Sequence, residues 1–501
     1  MQVKHIQIIL FFLIEVVFTQ TDKNYKVPHS FPHELIQNTA NNYNLIKYGD
    51  IAPYFNLNYP LTITYNSHMS FINGHNNIDN YGIMSSSRGL NLFNSFSFNY
   101  QNKWLFLRIE PFQIVNKDFH LKTDTNLVGE SYQYLNHHSN HKIKKNGFRQ
   151  SGLFLTFFGV SLGYSNFNQW WGPSYHNSIN ISSNPNGMNT FMIGTIKDKK
   201  INNFLSFGIK TIVSPYKSIE KTDLFLSALS FKLILDINPK IILGFNRTYY
   251  SGNLSNLSSI TSFKQNWTGA DAYKLLFEPL FGQNKKEKEY TTPGTPGFDP
   301  WDELLSGYIN IEFPKEKINI YLEIASDDNR ANFNDLRAHW DHTLGYILGL
   351  NKIYKRNQRI VIFNAEYLSL LPSNTFNPNF YRGGPNSPVY YTKDIYDYSS
   401  FEGKLIGAHS GTSSDDFMMM FGLGNSKSMT YVSFSKERHG VKTARNHEYK
   451  NELSITHDKY YKINHKVFIK YEYEKIYNYG FSDSVISDSK FIWFGYSYLF
   501  H

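Results

Sequence analysis

The chain has no cysteine among its 501 residues. That excludes disulfides, thiolate metal sites, cysteine nucleophiles and a cysteine-linked lipid anchor. Charge is scarce as well, at 18% of residues against about 25% in soluble domains. No stretch beyond the N-terminus reaches the roughly 18 apolar residues of a membrane-spanning helix. Enzyme signatures are missing: there is no Gly-x-Ser-x-Gly, no His-Glu-x-x-His and no Walker loop. His339 and His342 stand three apart with no third ligand beside them, so ligation is not expected there. Asp327-Asp328 and Asp415-Asp416 are sequence neighbours, whereas glycoside hydrolysis needs two carboxylates facing across one sugar. Both pairs read as turns, and neither forms an EF-hand loop. The chain is therefore expected to be no enzyme, to need no cofactor and to bind no nucleic acid.

Aromatic residues are abundant, with 37 Tyr and 41 Phe, yet the mean hydropathy is only −0.43. That combination suits a membrane β-barrel, where apolar and polar residues alternate and the average looks bland. Ile318 to Ile324, Val361 to Tyr367 and Val467 to Glu474 all alternate with a period of two. Short turns such as Gln101-Asn102-Lys103, Ile237-Asn238-Pro239 and Pro314-Lys315-Glu316 separate these runs. Longer irregular stretches lie near 116–150, 251–302 and 370–400. Short turns at one end and long loops at the other are the habit of outer-membrane barrels. The last strand, Phe491 to Phe500, sets Ile492, Phe494, Tyr496, Tyr498 and Phe500 on one face. Such an aromatic ending resembles the signal that bacterial barrels offer to their insertion machinery.

The fold expected is all-β: an antiparallel outer-membrane barrel of about 16–18 strands with a short, partly helical N-terminal region. Lys4 and the apolar stretch Ile6 to Phe18 read as a signal peptide over residues 1–20. Residues 21–85 read as a periplasmic or plug-like region, and 86–501 as the barrel. The net charge of +9 favours anionic partners, either acidic polysaccharide or lipid phosphates.

One run stands apart: Gln169-Trp170-Trp171-Gly172-Pro173-Ser174-Tyr175. Adjacent side chains on a strand point to opposite faces, so both indoles cannot enter one core. Gly172-Pro173 then stops regular pairing. A barrel has uses for both, as interface anchors or packing corners and as stacking faces for sugars. This run and the following Ser178-Ile179-Asn180-Ile181-Ser182-Ser183-Asn184 resemble the capsule assembly Wzi family. Leu107-Arg108-Ile109-Glu110-Pro111, Leu243-Gly244-Phe245-Asn246-Arg247, the segment from Asp327 through Trp340 to Gly349, and Glu402-Gly403 to His409 agree with it. The resemblance begins near residue 45.

The resemblance implies a monomeric outer-membrane lectin that attaches or assembles capsular polysaccharide or exopolysaccharide. It implies contacts with outer-membrane lipid and the polysaccharide export machinery. Candidate glycan contacts are Trp170, Trp171, Tyr175, Tyr381, Arg382, Tyr390, Tyr391, Asp394 and Tyr396. The rival reading is a diffusion channel of the same architecture, since a barrel of this size can leave an open lumen.

Overall fold

A computed structural model describes residues 61–75, 79–82, 88–116, 146–195, 198–217, 223–252, 302–327, 344–356, 358–371, 390–391, 399–402, 404–425, 427–441, 446–462 and 465–500. They form a closed antiparallel barrel of 18 staves. The main sheet holds 21 strand segments because three staves are each broken in two. Closure is direct: Leu61–Asn73 pairs with Gly89–Gln101 on one side and with Ile486–Phe500 on the other. With no sheet edge left, every stave has a partner for its backbone groups, as lipid demands.

The side-chain pattern is inverted relative to a soluble protein. Along Leu61–Asn73 the inward residues Thr62, Thr64, Asn66, His68 and Ser70 are buried. Between them Met69 and Phe71 point outward and are about half exposed, at 48% and 50%. Ile318–Asp327 repeats the pattern, with Asn319, Tyr321, Glu323 and Asp327 inside and Ile320 and Ile324 outside. Asp415–Asn425 does so too, with Phe417, Met419, Phe421 and Leu423 outside. An apolar outer wall around a polar interior is what lipid outside and polar groups inside select.

The expected short turns join staves at one end. Two to four residues link Leu235 to Lys240, Phe313 to Ile318, and Arg356 to Arg359. The start of Leu61–Asn73 and the end of Ile486–Phe500 lie at that same end, where Ile63 faces Phe500. The longer connections lie at the other end, the extracellular one in barrels of this kind.

Two expectations change. The first stave begins at Leu61, not near 86, so the barrel includes the last third of the stretch assigned to a separate N-terminal region. Its polar set faces the lumen, and the mixture of Thr, Asn, Ser and His hid the alternation. The earlier residues of that region, the signal peptide and the helical turns all lie outside the described residues. Asp415 and Asp416 form no turn. They open the strand Asp415–Asn425, and adjacent strand residues face opposite ways. Asp415 therefore pairs with Arg438 while Asp416 faces the lumen.

Candidate functional site

The double tryptophan lies inside the barrel. Between strands Val160–Ser165 and Thr190–Gly194, residues 166–189 leave the wall and cross the lumen. Irregular backbone away from water must satisfy its polar groups through side chains. The Ser/Asn-rich sequence does this. Ser178 Oγ lies 2.5 Å from the Trp171 carbonyl and 2.8 Å from that of Ile181. Asn180 Nδ2 donates to the Leu304 carbonyl at 3.1 Å, and Asn184 Nδ2 to that of Leu405 at 3.0 Å.

One carboxylate from the far wall fixes this plug. Glu366, on Arg359–Ser369, accepts the backbone N–H groups of Tyr175 at 2.6 Å, His176 at 3.0 Å and Asn177 at 2.7 Å. It also accepts the Tyr321 hydroxyl at 2.7 Å. Tyr321 reaches it by lying across Gly349, where an added Cβ would come within 2.0 Å of the ring. Gly172 is equally constrained: its φ is +114°, and a Cβ there would meet Glu323 Oε2 at 2.5 Å. Asp416 adds a second tie, accepting Asn177 Nδ2 at 2.7 Å and lying 3.1 Å from His176 Nε2. Burial alone would lower the His176 pKa, but Asp416, with Glu366 and Glu437, pushes the imidazole up to about 9.

Two more segments from the long-loop end complete the plug. Residues 404–414 run beside it, with Ser182 N–H donating to the Ile406 carbonyl at 2.7 Å. Asn80 donates through Nδ2 to the His176 carbonyl at 3.0 Å, and its N–H to Asn184 Oδ1 at 3.1 Å. Lys404 Nζ joins the segments by donating to the carbonyls of Gly82 at 3.1 Å and Asn184 at 3.3 Å. Burial pushes the Lys404 ammonium down to about 7, against the pull of Asp79 and Glu402.

On one side of the plug lies a chamber of about 120 Å³. Trp170, Tyr175 and Tyr81 supply aromatic faces. The wall supplies Tyr431 and the hydroxyls of Ser433, Ser435, Ser454 and Thr456, with Met418 and Met420. Asp79, Glu452, Glu472 and Lys470 bring charge. Lys470 bonds Glu472 and the Tyr81 hydroxyl. Lys450 meets Asp79, Glu437 at 3.0 Å and Glu474 at 3.5 Å. Burial would raise the Asp79 pKa, but Lys450 and His409 together hold the carboxyl down to about 2.

The predicted residues thus separate. Trp170 and Tyr175 line the chamber together. Trp171 faces the other way into an apolar cluster with Phe106, Phe154, Phe167, Met188 and Met192. Tyr390 and Tyr391 are buried in a third place, and their hydroxyls donate to the Ala325 carbonyl at 2.8 Å and the Ile179 carbonyl at 2.7 Å. Tyr381, Arg382, Asp394, Tyr396, His339 and His342 lie outside the described residues. Sequence reasoning passed over Glu366, Tyr81 and Lys470, and read Asp416 as part of a turn. The signal for Glu366 was its place beside Asn364 on the polar side of an alternating strand, whereas the face of Asp416 continues in Met418 and Met420 and gives no such signal.

No known protein-family model matches the chain, and no curated protein sequence is similar to it. Solved structures share its fold. Wzi, an outer-membrane protein involved in group 1 capsule assembly in Escherichia coli and described as a carbohydrate-binding β-barrel, matches with a TM-score of 0.57. Its identity is 12%, over 87% of this chain and 84% of Wzi. The outer-membrane channel DcaP of Acinetobacter baumannii matches with a TM-score of 0.36 and 9% identity, over 88% of this chain and 96% of its own. OccK11 of Pseudomonas aeruginosa matches at 0.40 and 7%, over 88% and 95%. The chain is an outer-membrane-type β-barrel with a plugged lumen.

Proposed function

We propose that this barrel binds capsular polysaccharide or exopolysaccharide and helps attach or assemble it at the cell surface, without catalysis. The observation that carries this reading is the plug, which fixes Trp170 and Tyr175 beside a wall of hydroxyls and carboxylates. Aromatic faces pack against the C–H faces of pyranoses, and hydroxyls and carboxylates bond sugar hydroxyls. The fold likeness to Wzi supports the same direction. Trp170 and Tyr175 are the proposed glycan contacts, with Tyr381, Arg382, Asp394 and Tyr396 as contacts from the long loops. Trp171, Tyr390 and Tyr391 act as positioning residues that hold the plug in place. Each contact is modest, and repetition along a polymer raises avidity. The last strand is offered to the insertion machinery, the barrel works as a monomer, and the export machinery is its protein partner.

The test compares cell-bound with released polymer in a deletion strain. Unchanged total polymer that shifts to the medium supports attachment. Two unchanged fractions overturn it and put the diffusion-channel reading first. The tied plug weighs against an open channel, and wild-type protein in a planar bilayer is expected to conduct weakly.

A further inference from the structure

Four side chains from separate parts of the chain meet where the plug touches the wall. His176 comes from the plug and His409 from the 404–414 segment. Asp416 and Glu437 come from the inward faces of Asp415–Asn425 and Ser428–His439. Each offers one donor atom, and the four atoms lie within 4.8 Å of one another. Asp416 Oδ2 is 3.1 Å from His176 Nε2 and 3.4 Å from His409 Nε2. His409 Nε2 is 3.7 Å from Glu437 Oε1.

These spacings suit a shared ion. A tetrahedral zinc with bonds of about 2 Å holds its donors about 3.3 Å apart. Direct hydrogen bonding explains the group less well. His176 Nε2 is close to Asp416 but not aligned to bond it, and Asp416 Oδ1 has no hydrogen-bond partner in a residue only 1% exposed. Two carboxylates balance a divalent charge. Two imidazoles favour the zinc class over calcium or magnesium, which take oxygen ligands.

The surroundings set two conditions. Asn80 Nδ2 lies 3.0 Å from His409 Nδ1. For Nε2 to give its lone pair, Nδ1 must carry the proton, so the Asn80 amide must turn its oxygen there. Asn80 Oδ1 has no other hydrogen-bond partner, and the turn costs the bond to the His176 carbonyl. Lys450 must also yield Glu437 Oε1, which it meets at 3.0 Å, while keeping Asp79, Glu452 and Glu474. His439 Nε2, 3.1 Å from Glu437 Oε2, orients that carboxylate from outside. We infer that His176, His409, Asp416 and Glu437 hold one divalent transition-metal ion of the zinc class, which clamps the lumen plug to the barrel wall.

The experiment uses full-length protein extracted from membranes in detergent, stripped with a chelator and titrated with zinc chloride by calorimetry. One zinc per chain is expected. His176→Gln and Asp416→Asn each weaken binding by at least about 100-fold, and Asn80→Ala by about 10- to 100-fold. His457→Gln, a histidine on the outward face of Glu448–Lys462 and outside the cluster, leaves the affinity unchanged. Heat-dependent gel migration confirms that each variant is a folded barrel, and His176→Gln replaces a residue of the plug and none of a wall strand. X-ray absorption at the zinc edge then shows four nitrogen or oxygen neighbours with the outer-shell scattering of two imidazole rings. A wild-type barrel that takes up no stoichiometric zinc overturns the inference. So does a folded His176→Gln variant that binds as tightly as wild type, or a zinc spectrum without imidazole outer-shell scattering.

Discussion

The two sides of the lumen plug are built on opposite principles, although one dipeptide divides them. Trp171 enters a dry cluster with Phe106, Phe154, Phe167 and Ile212. Trp170, its neighbour, faces a chamber lined by serine hydroxyls and charged groups. The dry side ends on staves that include Gly152–Phe157, Leu205–Lys217 and Asp223–Leu235. The chamber side ends on Asp415–Asn425, Ser428–His439, Glu448–Lys462 and His465–Tyr477. The apolar side holds the plug by excluded water and close packing. The polar side holds it by directed bonds and leaves room beside them. Stability and recognition are thereby assigned to different faces of one short segment.

Changes on the two sides should have different consequences. The largest effect is expected at their common anchor. Glu366→Ala strands three backbone N–H groups and the Tyr321 hydroxyl, at a cost of at least about 3 kcal/mol. Bilayer conductance should rise at least about tenfold as the plug loosens, and conductance that stays at the wild-type level would show that Glu366 is not the anchor. Trp171→Ala comes next, losing about 3–5 kcal/mol as a fully buried indole. The urea midpoint of barrel unfolding reads this loss.

Trp170→Ala should reverse the balance, because that indole borders open space. Polysaccharide retention on cells should fall at least several-fold while the urea midpoint moves less than for Trp171→Ala. Equal losses of both kinds in the two variants would erase the distinction between the faces. The smallest effect is pH-dependent. Lys404 is pushed down to about 7 when folded, so between that pH and its ordinary value the unfolded chain binds the extra proton. Its contribution to stability therefore rises with pH across that window. Lys404→Met should flatten the slope of urea midpoint against pH, and an unchanged slope would remove Lys404 as its source.

The barrel was legible in the sequence for a simple reason. Alternation is a property of each strand alone, so Ile318–Asp327 and Ile486–Phe500 declare themselves without their neighbours. The count of about 16–18 strands met an observed 18. The plug was not legible because an irregular segment has no period. Its partners are also remote: Tyr175 and Glu366 are 191 residues apart. The one available hint was the density of short polar side chains from Ser178 to Asn184, which a buried irregular backbone requires. The Trp-Trp-Gly-Pro run drew attention to the right place, but nothing local told the two indoles apart.

The Glu366 anchor also sets an order of events during assembly. The plug is synthesised early, between the staves Val160–Ser165 and Thr190–Gly194, while its carboxylate arrives much later with Arg359–Ser369. Until then its N–H groups lack their native acceptor. The seam waits longer still, because Ile63 cannot meet Phe500 until the whole chain is present. Contacts this distant in sequence form slowly. The plug's final geometry is therefore set by remote parts of the wall and not by its own sequence.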